Sequence, residues 1–139
     1  MSLYSQFKTD ATIEKEGIFV EYGANSKGLP IRFRVARAGG ANSNFKKSFE
    51  KHSLPFRHLM RANKLDEDTS MRITRLVFIE AVLLGWENVE DKAGEPLEFS
   101  AANANMLFTD LPGLLLDLSG HAADSELFLE ELRKADAGN

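Results

Sequence analysis

Three histidines, His52, His58 and His121, are the side chains best suited to shuttle a proton or hold a metal ion. His52 and His58 stand six apart, on different faces of a helix rather than on the i, i+4 pair that a zinc-binding helix offers. No HExxH sequence occurs, no carboxylate sits at metal-ligand spacing beside His52 and His58, and the chain has no cysteine. Histidines packed in the core or set on the surface are the simpler reading. Paired carboxylates occur at Glu90/Asp91 and Glu130/Glu131, but neighbours on a helix point apart and those in a turn are solvated. Acid–base work needs buried groups with shifted pKa values, which neither setting suggests. The segments "YGANSKG" and "RAGGANS" match neither phosphate-cradling glycine pattern, and no serine lies in a GxSxG elbow. The expectation is a protein without catalytic residues, cofactor or metal.

Charge is the next candidate for function. Residues 31–75 carry 11 Lys/Arg against 4 Asp/Glu, or +7, whereas residues 76–139 carry 3 against 13, or −10. The basic part includes Lys46, Lys47, Lys51, Arg57, Arg61, Lys64, Arg72 and Arg75, the loading expected of a helical nucleic acid-binding regulator using residues 46–75. Against that stand a pI near 5.4, no basic second helix after a tight turn, and an acidic C-terminal half that repels a polyanion. Nucleic acid is therefore the lesser alternative. The split equally suits contact between copies of the chain, with Arg57, Arg61, Lys64 and Arg72 facing Glu130 and Glu131, and a homo-oligomer follows as an expectation.

The elements that position these residues follow from periodicity. "GIFVEYG" and "IRFRVAR" alternate with period two, predicting an N-terminal β-hairpin over about 17–22 and 31–37. Helical spacing then recurs. Phe45, Phe49 and His52 share a stripe, Pro55 interrupts it, and Asp66 opens a helix whose apolar residues run from Met71 to Leu84. Ser100 caps another helix, "DLPGLLLDLSG" gives a short one ending before Gly120, and Asp124 caps the last. The fold is thus mainly α, a single domain of about five helices with the N-terminal hairpin. Residues 1–16 are expected to form a flexible arm, 17–135 the domain and 136–139 a frayed tail. No stretch nears the roughly 20 apolar residues of a membrane span, and no signal peptide is evident, so the expected place is the cytoplasm.

One joint stands out. The apolar run ends at Gly85–Trp86, an acidic Gly/Pro turn follows, and Phe99 precedes Ser100. Gly85 is expected to end the central helix in a left-handed cap, with Trp86 closing it. Gly85, Trp86, Pro96, Phe99 and Ser100 would then form an architectural clasp in which the indole packs on Phe99.

Taken in order, "RFRVARAGGANSNFKKSF", Gly85–Trp86, Val89, Asp91, Gly94, Pro96, Phe99–Ser100, Asn103, Leu111–Pro112, Leu115 and Phe128 resemble the tail assembly chaperones encoded by long-tailed bacteriophages and prophages. The resemblance runs from about Ile31 to Phe128. It implies a small non-catalytic helical protein of the bacterial host cytoplasm, absent from the mature virion. Such a protein binds the tape measure protein and helps recruit tail tube subunits. The family offers no catalytic motif to carry over.

Overall fold

Alternation along residues 18–22 and 31–35 produces the expected hairpin in the computed structural model, which describes residues 2–137. Strand β1 (Ile18–Ala24) pairs antiparallel with β2 (Pro30–Val35), with Ile18 opposite Val35 and Val20 opposite Phe33. Ile18, Phe33 and Val35 are buried, while Phe19 and Glu21 face outward with Arg32 and Arg34. The outer face is laced by charge. Arg32 Nε donates to Glu21 at 2.8 Å, and the Arg34 guanidinium lies 5.7 Å from the Phe19 ring centre.

A third strand, β3 (Leu83–Glu87), adds to the open edge of β2, giving the order β1-β2-β3. This corrects the central helix expected to run to Leu84. Helix α5 (Glu67–Val77) passes into a π-helical turn, Phe78–Val82, and the chain is extended from Leu83. Gly85 is therefore no left-handed cap: it lies in the strand opposite Arg34. Two forces end the helix early. The free edge of β2 satisfies the backbone of residues 83–87, and Trp86 gains a strand site opposite Phe33, where large aromatics pack well.

The remaining helices complete the domain, with Phe108, Leu115, Leu118 and Phe128 joining Phe33 and Val35 of the sheet in one core. These helices are α3 (Ser43–Ser53), a 3₁₀ turn Leu54–Phe56, α4 (Arg57–Arg61), α6 (Ala101–Asp110), α7 (Pro112–Ala123) and α8 (Ser125–Ala137). The caps are chemical: Asp66 accepts from Thr69 N–H and Ser100 from Asn103 N–H, each at 3.0 Å. Gly120 does not end α7, which runs three residues further. Phe33, Val35, Val82, Phe108, Leu115 and Leu118 are almost wholly buried, each stabilising the fold by roughly 2–3 kcal/mol relative to exposure. Phe49, on the stripe with Phe45 and His52, does not enter the core. It stacks on Phe45 but remains at the surface. The architecture is thus mainly helical α+β rather than five helices and a hairpin.

Part of the expected arm is ordered. α1 (Leu3–Gln6) is followed by α2 (Ala11–Glu16), whose Glu14 is buried against Arg37 and whose carbonyl accepts from Arg37 N–H at 2.8 Å. A buried carboxylate must be paired, so the Arg37 contact draws α2 onto the domain. Of the tail expected at 136–139, residues through Ala137 continue α8, and Gly138 and Asn139 lie outside the described residues.

Candidate functional site

The joint residues come together around β3, although in another geometry than the sequence suggests. The Trp86 ring meets Phe33 on one side and Phe99 on the other, at centroid distances of 5.9 and 5.1 Å. Its Nε1–H donates to Leu97 O at 2.8 Å. Between Trp86 and Leu97 the chain makes a tight excursion. Asp91 Oδ1 accepts from Ala93 N–H and Glu95 N–H, Gly94 adopts φ +80°, and Glu90 forms a bridge with Pro96. Ser100 then caps α6. Gly85 and Trp86 thus lie in β3, Pro96 and Phe99 in the segment that returns from it, and Ser100 at the cap of α6.

That loop forms one wall of an apolar groove. Tyr22, Ile31 and Phe33 of the sheet, Val89 of the loop, Leu107 and Leu111 from the end of α6, and Leu114 of α7 enclose about 510 Å³. A second hollow of about 470 Å³ adjoins it, sharing Glu90, Leu107, Asp110 and Leu111 and adding Leu97 and Met106. Leu111 and Met106 are 50% and 45% exposed, which water disfavours unless something covers them. The rim is acidic, with Glu90, Asp91 and Asp110, while Lys92 Nζ reaches Asp110 at 3.5 Å.

The rim is also held still. Ser26, at the hairpin tip, donates its N–H and hydroxyl to Glu90, holding that carboxyl below the usual carboxylate range. Asn25 Nδ2 donates to Asn88 O at 3.3 Å and Asn88 Nδ2 to Pro30 O at 2.7 Å, tying hairpin to loop. On the opposite wall, Tyr22 donates its hydroxyl to Asp117 of α7. Burial first, and then the Asp117 carboxylate, push the phenol well above its ordinary value, so it stays a neutral donor. Sequence reasoning missed this groove, because its lining comes from four separate segments, each ordinary alone.

The polar groups singled out from sequence do not converge. His52 Nε2 meets Glu80 Oε2, and Ser48 and Lys51 donate to the same carboxylate at 3.0 and 2.9 Å. These bonds, led by that from Lys51, hold Glu80 at about 2. His58 is exposed on α4, and His121 pairs with Asp117 one turn before it on α7. Among the described residues no group of three or more His, Cys, Asp or Glu side chains is arranged to hold a metal ion. Arg57, Arg61, Lys64 and Arg72 are exposed on and around α4 and α5, whereas Glu130 and Glu131 lie on α8. Among the described residues no ion pair joins the two sets within one chain, and Glu131 pairs instead with Lys134 of its own helix.

Residues 40–139 match a family model described as YdaY prophage protein. No curated protein and no solved structure matches the chain. The matched region spans α3 to α8, including the Trp86 loop and the α6–α7 wall of the groove, but not the β1–β2 hairpin.

Proposed function

The chain belongs to the YdaY prophage protein family, and from that premise we propose that it is a non-catalytic tail assembly chaperone. It would bind the tape measure protein in the host cytoplasm, help recruit tail tube subunits, and be left out of the mature virion. The observation that carries the reading is the apolar groove with its acidic rim between the sheet and the α6–α7 corner. A long helical client exposes apolar side chains at i, i+3, i+4 and i+7, and a preformed groove shields them by helix-in-groove docking. Acid along the rim selects basic residues flanking the apolar stripe and repels acidic ones. Affinity per groove stays modest, which suits a holder that must release its client during assembly.

Co-expression with the tape measure protein of the same prophage tests this. The client should move from the insoluble to the soluble fraction and co-purify with the chain; a client that stays insoluble removes the reading.

One observation favours a second reading. Among the described residues, Lys51 is the one of the eight cationic side chains between Lys46 and Arg75 that forms an ion pair with a carboxylate. The rest present a basic face on α3 to α5, which a nucleic acid regulator would use. A gel-shift titration decides it, because phosphate contacts give affinity that falls steeply with salt.

A further inference from the structure

Helix α3 carries two stripes. Phe45, Ser48 and His52 recur at i, i+3 and i+7 and turn inward, Ser48 buried and the other two half-buried. Lys47, Lys51 and Leu54 recur at i, i+4 and i+7 on the outer side, all three exposed. Leu54 keeps helical torsions, φ −51° and ψ −46°, although α3 ends before it. It is 58% exposed, and Phe49 and, on α4, Met60 also reach the surface. Around them residues 43–64 hold six Lys/Arg against Glu50 alone, or +5, in a chain whose net charge is −4. Among the described residues Lys51 is the one of these six paired with a carboxylate, Glu80 at 2.9 Å. Lys46, Lys47, Arg57, Arg61 and Lys64 are exposed.

We infer that this outer face of α3 and α4 docks on an anionic lipid bilayer. Lys46, Lys47, Arg57, Arg61 and Lys64 meet the headgroups, and Leu54 and Met60 enter between them. Charge complementarity makes the partner an anion, and the exposed apolar side chains choose among anions. A nucleic acid is gripped by cations at its phosphates and, where single-stranded, by free aromatic rings at its bases. The rings of this region are already engaged: Phe45 stacks on Phe49, and the Arg72 guanidinium lies 5.9 Å from the Phe56 ring centre. What stands uncovered beside the cations is aliphatic. Aliphatic side chains gain most at the boundary between headgroups and acyl chains, where an interfacial helix buries its apolar face. Long cations without fixed partners also suit a fluid surface, which imposes no register on them. Each Lys or Arg brought to an anionic leaflet contributes about fivefold in affinity. Carboxylates more than about 8 Å from that surface are screened and do little to oppose it. None of the residues lining the groove belongs to this face, so vesicle binding and client capture can fail independently.

Vesicle flotation tests this. The chain should float with vesicles of phosphatidylcholine and phosphatidylglycerol in equal parts, not with phosphatidylcholine alone, and raised salt should weaken the association. Arg57→Gln/Arg61→Gln should lower partitioning at least tenfold. Leu54→Ser should lower it about fivefold, by removing the inserted side chain. Far-UV spectra should stay native in both, because all three positions are exposed. Three outcomes overturn the inference: a chain that ignores anionic vesicles, one that binds neutral vesicles equally well, or binding that either variant leaves unchanged. Retardation of DNA by a chain that ignores anionic vesicles would assign the face to nucleic acid instead.

Discussion

The Trp86 indole meets the Phe99 ring edge-on, with centroids 5.1 Å apart and planes at 82°, while its Nε1–H reaches Leu97 O at 2.8 Å. One side chain thus ties strand β3 to the loop that returns to α6, and that loop walls the groove. Edge-to-face contact adds to burial, and the buried indole donor needs its acceptor. Trp86→Ala should cost about 3 kcal/mol, the low end for large aromatic truncations because the ring is only partly buried. Trp86→Phe keeps the ring contacts and leaves Leu97 O without its donor, so it should cost about 1 kcal/mol. Urea unfolding followed by far-UV dichroism measures both. Equal losses would show that the hydrogen bond, and not the ring, fastens the loop.

How much of this was legible beforehand depends on how local each signal is. The hairpin is written in the alternation of Ile31, Phe33 and Val35 against Arg32 and Arg34, and the caps in Asp66 and Ser100. The contact of Trp86 with Phe99 was readable too, since the Gly/Pro turn between them brings the two rings back together. Strand β3 was not. "LLGWE" is too short to show a period, and its conformation is decided by the vacant edge of β2, some fifty residues earlier in the chain. The docking of α2 was hidden for a similar reason: Glu14 reads as a surface acid until Arg37 is seen beside it.

That pair gives an asymmetric prediction. Glu14 is 3% exposed, and one of its carboxylate oxygens also lies 3.4 Å from Ala41 N–H. Arg37→Met strands a buried carboxylate and should cost about 3–5 kcal/mol. Glu14→Gln leaves a cation that still reaches water and an amide that still accepts, so about 2 kcal/mol is expected. Chemical denaturation of both variants checks the order. A larger loss for Glu14→Gln would mean that the pair does not hold α2 in place.

Gly17 joins α2 to β1 at φ +88°, and a Cβ there would lie 2.5 Å from Val35 O and 2.8 Å from Leu84 Cδ1. Backbone strain and the clash with a strand carbonyl act together, so Gly17→Ala should cost about 3 kcal/mol. Gly23 also has positive φ, but a Cβ there meets nothing, so Gly23→Ala should cost only about 1 kcal/mol. Thermal melts of the two variants make the comparison, and equal shifts would show that the Val35 contact relaxes freely.

Acid should weaken the tie between α3 and the π-helical turn. Glu80 has its carboxyl held at about 2 against an ordinary 4.5 by Lys51, His52 and Ser48. A carboxyl lowered on folding stabilises the native state fully above its unfolded pKa and loses that effect as pH falls through the folded value. The window is therefore about pH 4.5 down to 2. The side chain is 42% exposed, so solvent screening limits the contribution to about 1 kcal/mol. The stability gap between the unmodified chain and Glu80→Gln should be about 1 kcal/mol at pH 6 and close towards pH 2. A gap that stays constant with pH would place the effect in packing rather than in charge.

The groove can be altered without touching the fold, and Leu111 is the place to do it. This residue links α6 to α7 at φ −124° and ψ 70°, is 50% exposed, and makes no side-chain cap for the helix it precedes. An aspartate there can cap α7 while putting a charge on the wall that Leu111 now lines. Leu111→Asp should therefore change unfolding free energy by no more than about 0.5 kcal/mol. It should also abolish solubilisation of the tape measure protein in the co-expression assay. Asp110→Asn, at the neighbouring position, removes one rim charge and keeps the apolar wall. It should weaken capture only modestly, and the loss should shrink as salt is raised, as for any exposed charge. Were Leu111→Asp to hold the client as well as the unmodified chain does, the client surface would have to lie elsewhere, with the basic face of α3 to α5 the next to test.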